Sequence, residues 1–126
     1  MIRIVLVDDE STVRQGLRMR LELTKEIQVV GEAGDAAMAL ELIRTHTPDV
    51  IVMDIELPDQ DGIAVTKILR DANCSSLIII LSMHDDAETR ERALAAGAAK
   101  FVSKHEGAAA LLQAIQQIAK DQANSH

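Results

Sequence analysis

Leu77-Ile78-Ile79-Ile80-Leu81, followed at once by Ser82, is the most hydrophobic run in the chain. It has no polar alternation, so as a strand it cannot turn one face to water. It must lie near the centre of a sheet and be covered on both sides. Four further β-rich runs flank it: Ile2–Val7, Ile27–Val30, Val50–Met53 leading straight into Asp54, and Lys100–Ser103. Longer segments with helical spacing alternate with them. Strand–helix alternation with continuous apolar strands predicts a parallel sheet with helices on both faces.

The helical segments carry their own punctuation. Ser11 is placed to cap a first helix with Val13, Leu17 and Leu21 on one face. Gly16 inside it is unfavourable by about 1 kcal/mol relative to Ala, which predicts close packing at that point. Asp35 caps a second helix buried through Ala36, Leu40 and Ile43, and a third after Pro58 presents Val65, Ile68 and Leu69. The fourth runs from about Asp86 to Gly97, a common C′ residue. The last buries Leu111, Ile115 and Ile118, and Asp121–His126 is expected to be a polar tail or the start of a linker after a 1–120 domain.

Composition excludes several functions. Thirteen basic residues against twenty acidic ones give a net charge of −7, which duplex phosphates would repel. Phe101 is the one aromatic residue, so no platform exists for stacking bases or a flavin ring. A flavin or nucleotide binder on this fold also needs a phosphate loop after the first strand, where Asp8-Asp9-Glu10 would repel the ligand. Cys74 is the single cysteine and is expected to be a packing residue in a reducing compartment. No apolar run reaches the ~20 residues a membrane span requires, and a cytoplasmic location is expected.

The polar residues at the strand ends point to chemistry. Asp8 and Asp9 follow the first strand, Asp54 ends the third, Ser82 ends the fourth and Lys104 follows the fifth. Parallel strands place these ends on one edge, so residues scattered in sequence converge. Asp8, Asp9 and Asp54 together repel and call for a hard cation such as Mg²⁺. Asp54 can then act as a carboxylate nucleophile towards phosphorus. Lys104 and Ser82 supply donors for the phosphoryl oxygens. Simpler roles stand beside these: Asp9 as a helix cap, Ser82 as a strand-end hydroxyl, Phe101 as core, and Arg14 and Arg18 as a solvated face.

In order and separation, Val7-Asp8-Asp9-Glu10, Asp54-Ile55-Glu56-Leu57-Pro58-Asp59-Gln60-Asp61-Gly62, Ser82, Phe101 and Lys104 resemble the response-regulator receiver domain of two-component signalling. Ser82-Met83-His84-Asp85 and Ser103-Lys104-His105-Glu106 look most like receivers that precede a LuxR-type helix-turn-helix output domain. The resemblance implies a flavodoxin-like strand order, 2-1-3-4-5, with five helices. It implies phosphorylation of Asp54 by a sensor histidine kinase. The implied Mg²⁺ ligands are Asp9, Asp54 and the backbone carbonyl of Glu56, with Asp8 behind them. Ser82 and Phe101 resemble the coupled switch pair of the family.

Glu56 and His84 stand two residues after Asp54 and Ser82, and with Met83 they are expected to crowd the site and set the lifetime of the phosphoryl group. Many relatives have Pro where His105 follows Lys104, and a cis bond there would cost roughly 3 kcal/mol without it. Expected partners are the kinase, a second copy of the domain after phosphorylation, and an output domain absent from this chain. Neither DNA nor membrane binding is expected of this segment. Rival expectations are a stand-alone receiver acting through protein contacts and an aspartyl-phosphate phosphatase. The latter usually needs a second Asp where this chain has Glu56.

Overall fold

The computed structural model describes residues 1–124. Its strands are β1 (Ile2–Val7), β2 (Ile27–Ala33), β3 (Val50–Asp54), β4 (Leu77–Ser82) and β5 (Lys100–Ser103). The helices between them are α1 (Ser11–Leu21), α2 (Ala36–His46), α3 (Gly62–Asp71), α4 (Ala87–Ala95) and α5 (Gly107–Asn124), with a 3-10 turn at Lys104–Glu106. All pairings are parallel and the order is β2-β1-β3-β4-β5, the flavodoxin-like doubly wound arrangement.

The central strands are buried on both faces, as their unbroken apolar character requires. Val5, Val7, Ile51, Met53, Ile78 and Ile80 point to one layer, where Ala36, Ile43, Val65, Leu69 and Ala93 of α2, α3 and α4 cover them. Ile4, Leu6, Val52, Ile79 and Leu81 point to the other, under Leu21 of α1 and Leu111, Ile115 and Ile118 of α5. Register brings the strand ends level: Val7 pairs with Met53, Asp54 with Leu81, and Ser82 with Ser103.

Several local expectations are corrected. Ser11 does not cap α1; Glu10 occupies the N-cap position without a side-chain cap, because the chain leaves β1 through a turn closed by Asp8. Gly16 is exposed, and a Cβ there would meet nothing within 4 Å, so close packing is not its reason. Ile68 is 43% exposed, since Thr66 instead turns inward and bonds the Gly62 carbonyl at 2.9 Å. β2 runs on to Ala33 because a register shift between Ile4 and Val5 lets its later residues keep pairing with β1. Residues 121–124, expected to be loose, form the end of α5, while Ser125 and His126 lie outside the described residues. Asp35 caps α2 as expected, accepting from Met38, and Asp86, where α4 was expected to begin, caps that helix by accepting from Thr89. The described residues contain no cis peptide, so Lys104–His105 is trans.

Candidate functional site

Asp8, Asp54 and Lys104 meet at the carboxyl edge of the sheet, where β4 also ends in Ser82. The Lys104 ammonium lies 2.8 Å from Asp8 Oδ2 and 3.1 Å from Asp54 Oδ2. Asp8, Asp54 and Ser82 are 2%, 4% and 1% exposed, so the two carboxylates and the hydroxyl are nearly withdrawn from water. Each carboxylate keeps its other oxygen on a backbone amide: Asp8 Oδ1 accepts from Glu10 at 2.9 Å, and Asp54 Oδ1 from Glu56 at 3.2 Å. Burial raises the Asp54 carboxyl above its ordinary value; Lys104 offsets part of this and Asp8 adds to it. Burial also depresses the Lys104 ammonium, but the negative carboxylates of Asp8 and Asp54 beside it outweigh that and hold it above its ordinary value.

Asp8 Oδ2 is close to Lys104 without the geometry of a hydrogen bond, so this buried oxygen has a charge partner but no directed donor. The Asp8, Asp9 and Glu10 carboxylates each offer an oxygen within 4.8 Å of the others. Asp9 and Glu10 are exposed, and no side chain caps α1. An all-oxygen set with an unfilled lone pair fits a hard divalent cation. Glu10 is a member of this cluster that the sequence reasoning passed over, although it stands in the same acidic run. Asp54 is not one of these three; it lies beside the cluster and shares Lys104 with Asp8.

The rim of the pocket is made by the loops. Ser82 Oγ accepts from the His84 amide at 3.0 Å, and the imidazole Nε2 of His84 meets Glu56 Oε1, both side chains being 63% exposed. Met83 is 51% exposed and faces an apolar cleft between α1 and α5, shared with Val13, Leu17, Leu111 and the Lys104 stem. Phe101 is buried on β5, paired with Ile80, and the Arg90 guanidinium sits 4.8 Å from its ring centroid. Arg90 also donates to the Asp85 carbonyl at 3.1 Å and pairs with Glu106 at 3.6 Å.

Arg14 and Arg18 part company: the Arg14 side chain is 18% exposed and tied into the fold, whereas Arg18, at 43%, stays on a solvated face as expected. Arg14 bonds the Asp8 carbonyl and pairs with Glu32 at 3.3 Å; Arg18 reaches Glu32 at 2.8 Å and Glu22 at 3.1 Å. Arg14 thereby holds the backbone of a pocket residue from the outside. Two further contributors were missed. A Cβ at Gly62 would collide with the Asp54 carbonyl oxygen, so only glycine lets α3 start this close to the site. Asp59 accepts from the amides of Ala36 and Ala37 on α2 at 2.8 and 3.0 Å. An Asp-Gly pair before a helical pattern hints at the first; the second links residues 22 and 23 positions apart and has no local signal. Cys74 is partly buried and packs against the core, as expected.

Comparison with known proteins agrees with this arrangement. Residues 4–116 match the response regulator receiver domain. The signal receiver domain of NarL from Mycobacterium tuberculosis superposes with a TM-score of 0.90 at 36% identity, covering 94% of this chain and 96% of that one. A LuxR-family two-component response regulator from Aurantimonas gives 0.89 at 41% identity, covering 94% and 84%. The transcriptional regulatory protein LiaR of Bacillus subtilis is 37% identical over 95% of this chain and 57% of its own length. The chain spans about half the length of the curated regulators it matches. No helix among the described residues is long and apolar enough to cross a membrane.

Proposed function

The chain belongs to the response regulator receiver domain family, and from that premise we propose that Asp54 accepts a phosphoryl group from a sensor histidine kinase in a Mg²⁺-dependent reaction. One observation carries the assignment: a buried strand-end carboxylate shares a lysine with a second carboxylate, beside an acidic cluster open to solvent. Asp9, Asp54 and the Glu56 carbonyl would hold the ion, with Asp8 behind them and Glu10 close by. Bound there, Mg²⁺ would offset carboxylate repulsion and attract phosphoryl oxygens.

The chain's own groups do the rest. Burial increases the basicity of Asp54, and the ionised oxygen attacks phosphorus as the P–N bond of a phosphohistidine breaks. The electron pair of that bond stays on the imidazole, which leaves neutral when its other nitrogen is protonated. Lys104 moves its bond from Asp54 to one phosphoryl oxygen, and the Ser82 hydroxyl donates to another. Moving Ser82 disturbs its bond with the His84 amide and hence the loop leading to α4. Phe101, on the neighbouring strand, is the second member of this switch. Glu56, Met83 and His84 control access of water and so the lifetime of the acyl phosphate.

The changed surface comprises α4, β5 and α5, and it serves a second copy of the domain or an output domain of the LuxR type. The segment works in the cytoplasm through protein contacts, not by binding DNA or membrane itself, and is a phosphoacceptor rather than an enzyme. Incubation with acetyl phosphate and Mg²⁺ is expected to add one alkali-labile phosphate, and Asp54→Ala to abolish uptake. Label entering Asp54→Ala at the normal rate would exclude this assignment, and multiple turnover of a phosphomonoester would favour the phosphatase.

A further inference from the structure

The segment from Ile55 to Asp61 must hold the Glu56 backbone steady beside Asp54, yet it contains neither helix nor strand. Its base is closed by the Ile55 carbonyl, which accepts from Leu57 at 3.2 Å and Gly62 at 2.8 Å. Its exit is fixed by Asp61, whose carboxylate caps α3 through Ile63 at 2.6 Å and Ala64 at 3.3 Å. Its tip is held from elsewhere. Asp59 sends both carboxylate oxygens to α2, one to the amide of Ala36 and the other to that of Ala37.

A helix start leaves several amides without partners, and α2 already has its own cap in Asp35, which takes only Met38. The first two amides are left for a second carboxylate. They point at the β3–α3 loop because α2 and α3 cover the same face of the sheet. The two bonds run parallel from one carboxylate to two successive amides, which fixes its orientation as well as its position. The bonds from Ala36 and then Ala37 hold the Asp59 carboxyl below its ordinary value, so the carboxylate form is the one engaged.

We propose, resting on the phosphoacceptor function above, that Asp59 is a positioning residue: it clamps the β3–α3 loop to α2 and so holds the Glu56 backbone, amide on Asp54 and carbonyl towards the cation. Asp59 does not itself touch the phosphoryl group. Glu56 donates its amide to Asp54 Oδ1 at 3.2 Å, three residues from the clamp, with Pro58 stiffening the path between. Releasing the tip leaves the loop tied at its two ends only, and the Glu56 peptide free to rotate.

The test compares wild type with Asp59→Ala and Asp59→Asn, the last of which keeps one acceptor oxygen. Amide hydrogen exchange in metal-free protein is expected to quicken at Glu56 as well as at Ala36 and Ala37 in Asp59→Ala, with partial recovery in Asp59→Asn. Mg²⁺ affinity, followed by titration, is expected to fall about tenfold in Asp59→Ala, the lower end of the range seen when a group supporting a metal ligand is lost. Faster exchange limited to Ala36 and Ala37, or unchanged Mg²⁺ affinity, would reduce Asp59 to a helix cap and overturn the proposal. A wild type that binds no Mg²⁺ would count against the phosphoacceptor function instead, and exchange at Glu56 would still decide the role of Asp59.

Discussion

Two polar groupings border the same pocket and differ sharply in burial: a lysine between two carboxylates in its floor, and a histidine beside a glutamate at its rim. In the floor, Lys104 lies between Asp8 and Asp54, with side-chain exposures of 13%, 3% and 6%. At the rim, His84 meets Glu56 with both side chains 63% exposed. Distance alone would rank the rim pair at least as highly. Water decides otherwise: an exposed pair contributes about 0–1 kcal/mol, whereas a buried charge deprived of its partner costs about 3–5 kcal/mol. The floor therefore carries the fold's electrostatic strain; in the proposed function it also carries the chemistry, with rate control left to the rim.

The comparison breaks most easily at Lys104. Lys104→Met leaves two buried carboxylates facing each other, and we expect about 3 kcal/mol lower stability in urea titration without metal. Phosphoryl uptake from acetyl phosphate is expected to drop about 100-fold, as when a donor to developing charge is removed. A variant as stable and as active as wild type would show that the floor is as weakly coupled as the rim. In wild type the folded ammonium is held above 10.5. Its stabilisation is therefore complete below that value and disappears as pH rises through the higher folded value.

Asp9 tests whether the acidic cluster acts through a cation. Asp9→Ala is expected to weaken Mg²⁺ binding by about tenfold while leaving the metal-free fold intact or slightly steadier, since like charges are thinned. Loss of stability with Mg²⁺ affinity unchanged would assign Asp9 to the helix start instead.

Asp54 sharpens the sign of the floor's electrostatics. Its folded carboxyl is held above 3.8, so the folded protein binds that proton more tightly than the unfolded chain does. The resulting cost to stability is full at neutral pH and shrinks as pH falls through the folded value towards 3.8. Asp54→Asn should thus melt higher than wild type at neutral pH, with the difference closing in acid. A variant that melts lower at neutral pH would mean that Lys104 and the Glu56 amide outweigh burial.

The smallest effect is expected at the rim. Glu56→Ala and His84→Ala should change stability by less than about 0.5 kcal/mol and still permit phosphorylation. Decay of the phosphoryl group, followed after donor removal, should change a few-fold in either variant. Identical decay in wild type and both variants would take the rim out of the mechanism.

Asp54, Asp8, Ser82 and Lys104 could be located in the sequence because their signal is local. Each directly follows or ends an apolar strand, and parallel strands align such ends. The same logic recovered the strand order only through family resemblance, since periodicity alone does not say which strands are neighbours. The false expectations came from single residues judged in isolation. Ser11 has the chemistry of a cap, but the Asp8 turn sets where α1 begins. Gly16 has the cost of a packing glycine, yet nothing approaches it.

Apolar runs, their polar punctuation and the helical spacing between them were enough to determine a parallel sheet with an acidic edge, because burial demands are written in consecutive residues. Tertiary structure alone decided how that edge is assembled. Lys104 bridges two carboxylates 50 or more positions away, Arg14 crosses to Glu32 and the Asp8 carbonyl, Gly62 lets α3 press on the Asp54 backbone, and Asp59 caps a helix begun 23 residues earlier. Their partners are chosen by which surfaces the sheet brings together. No window of neighbouring residues contains that information.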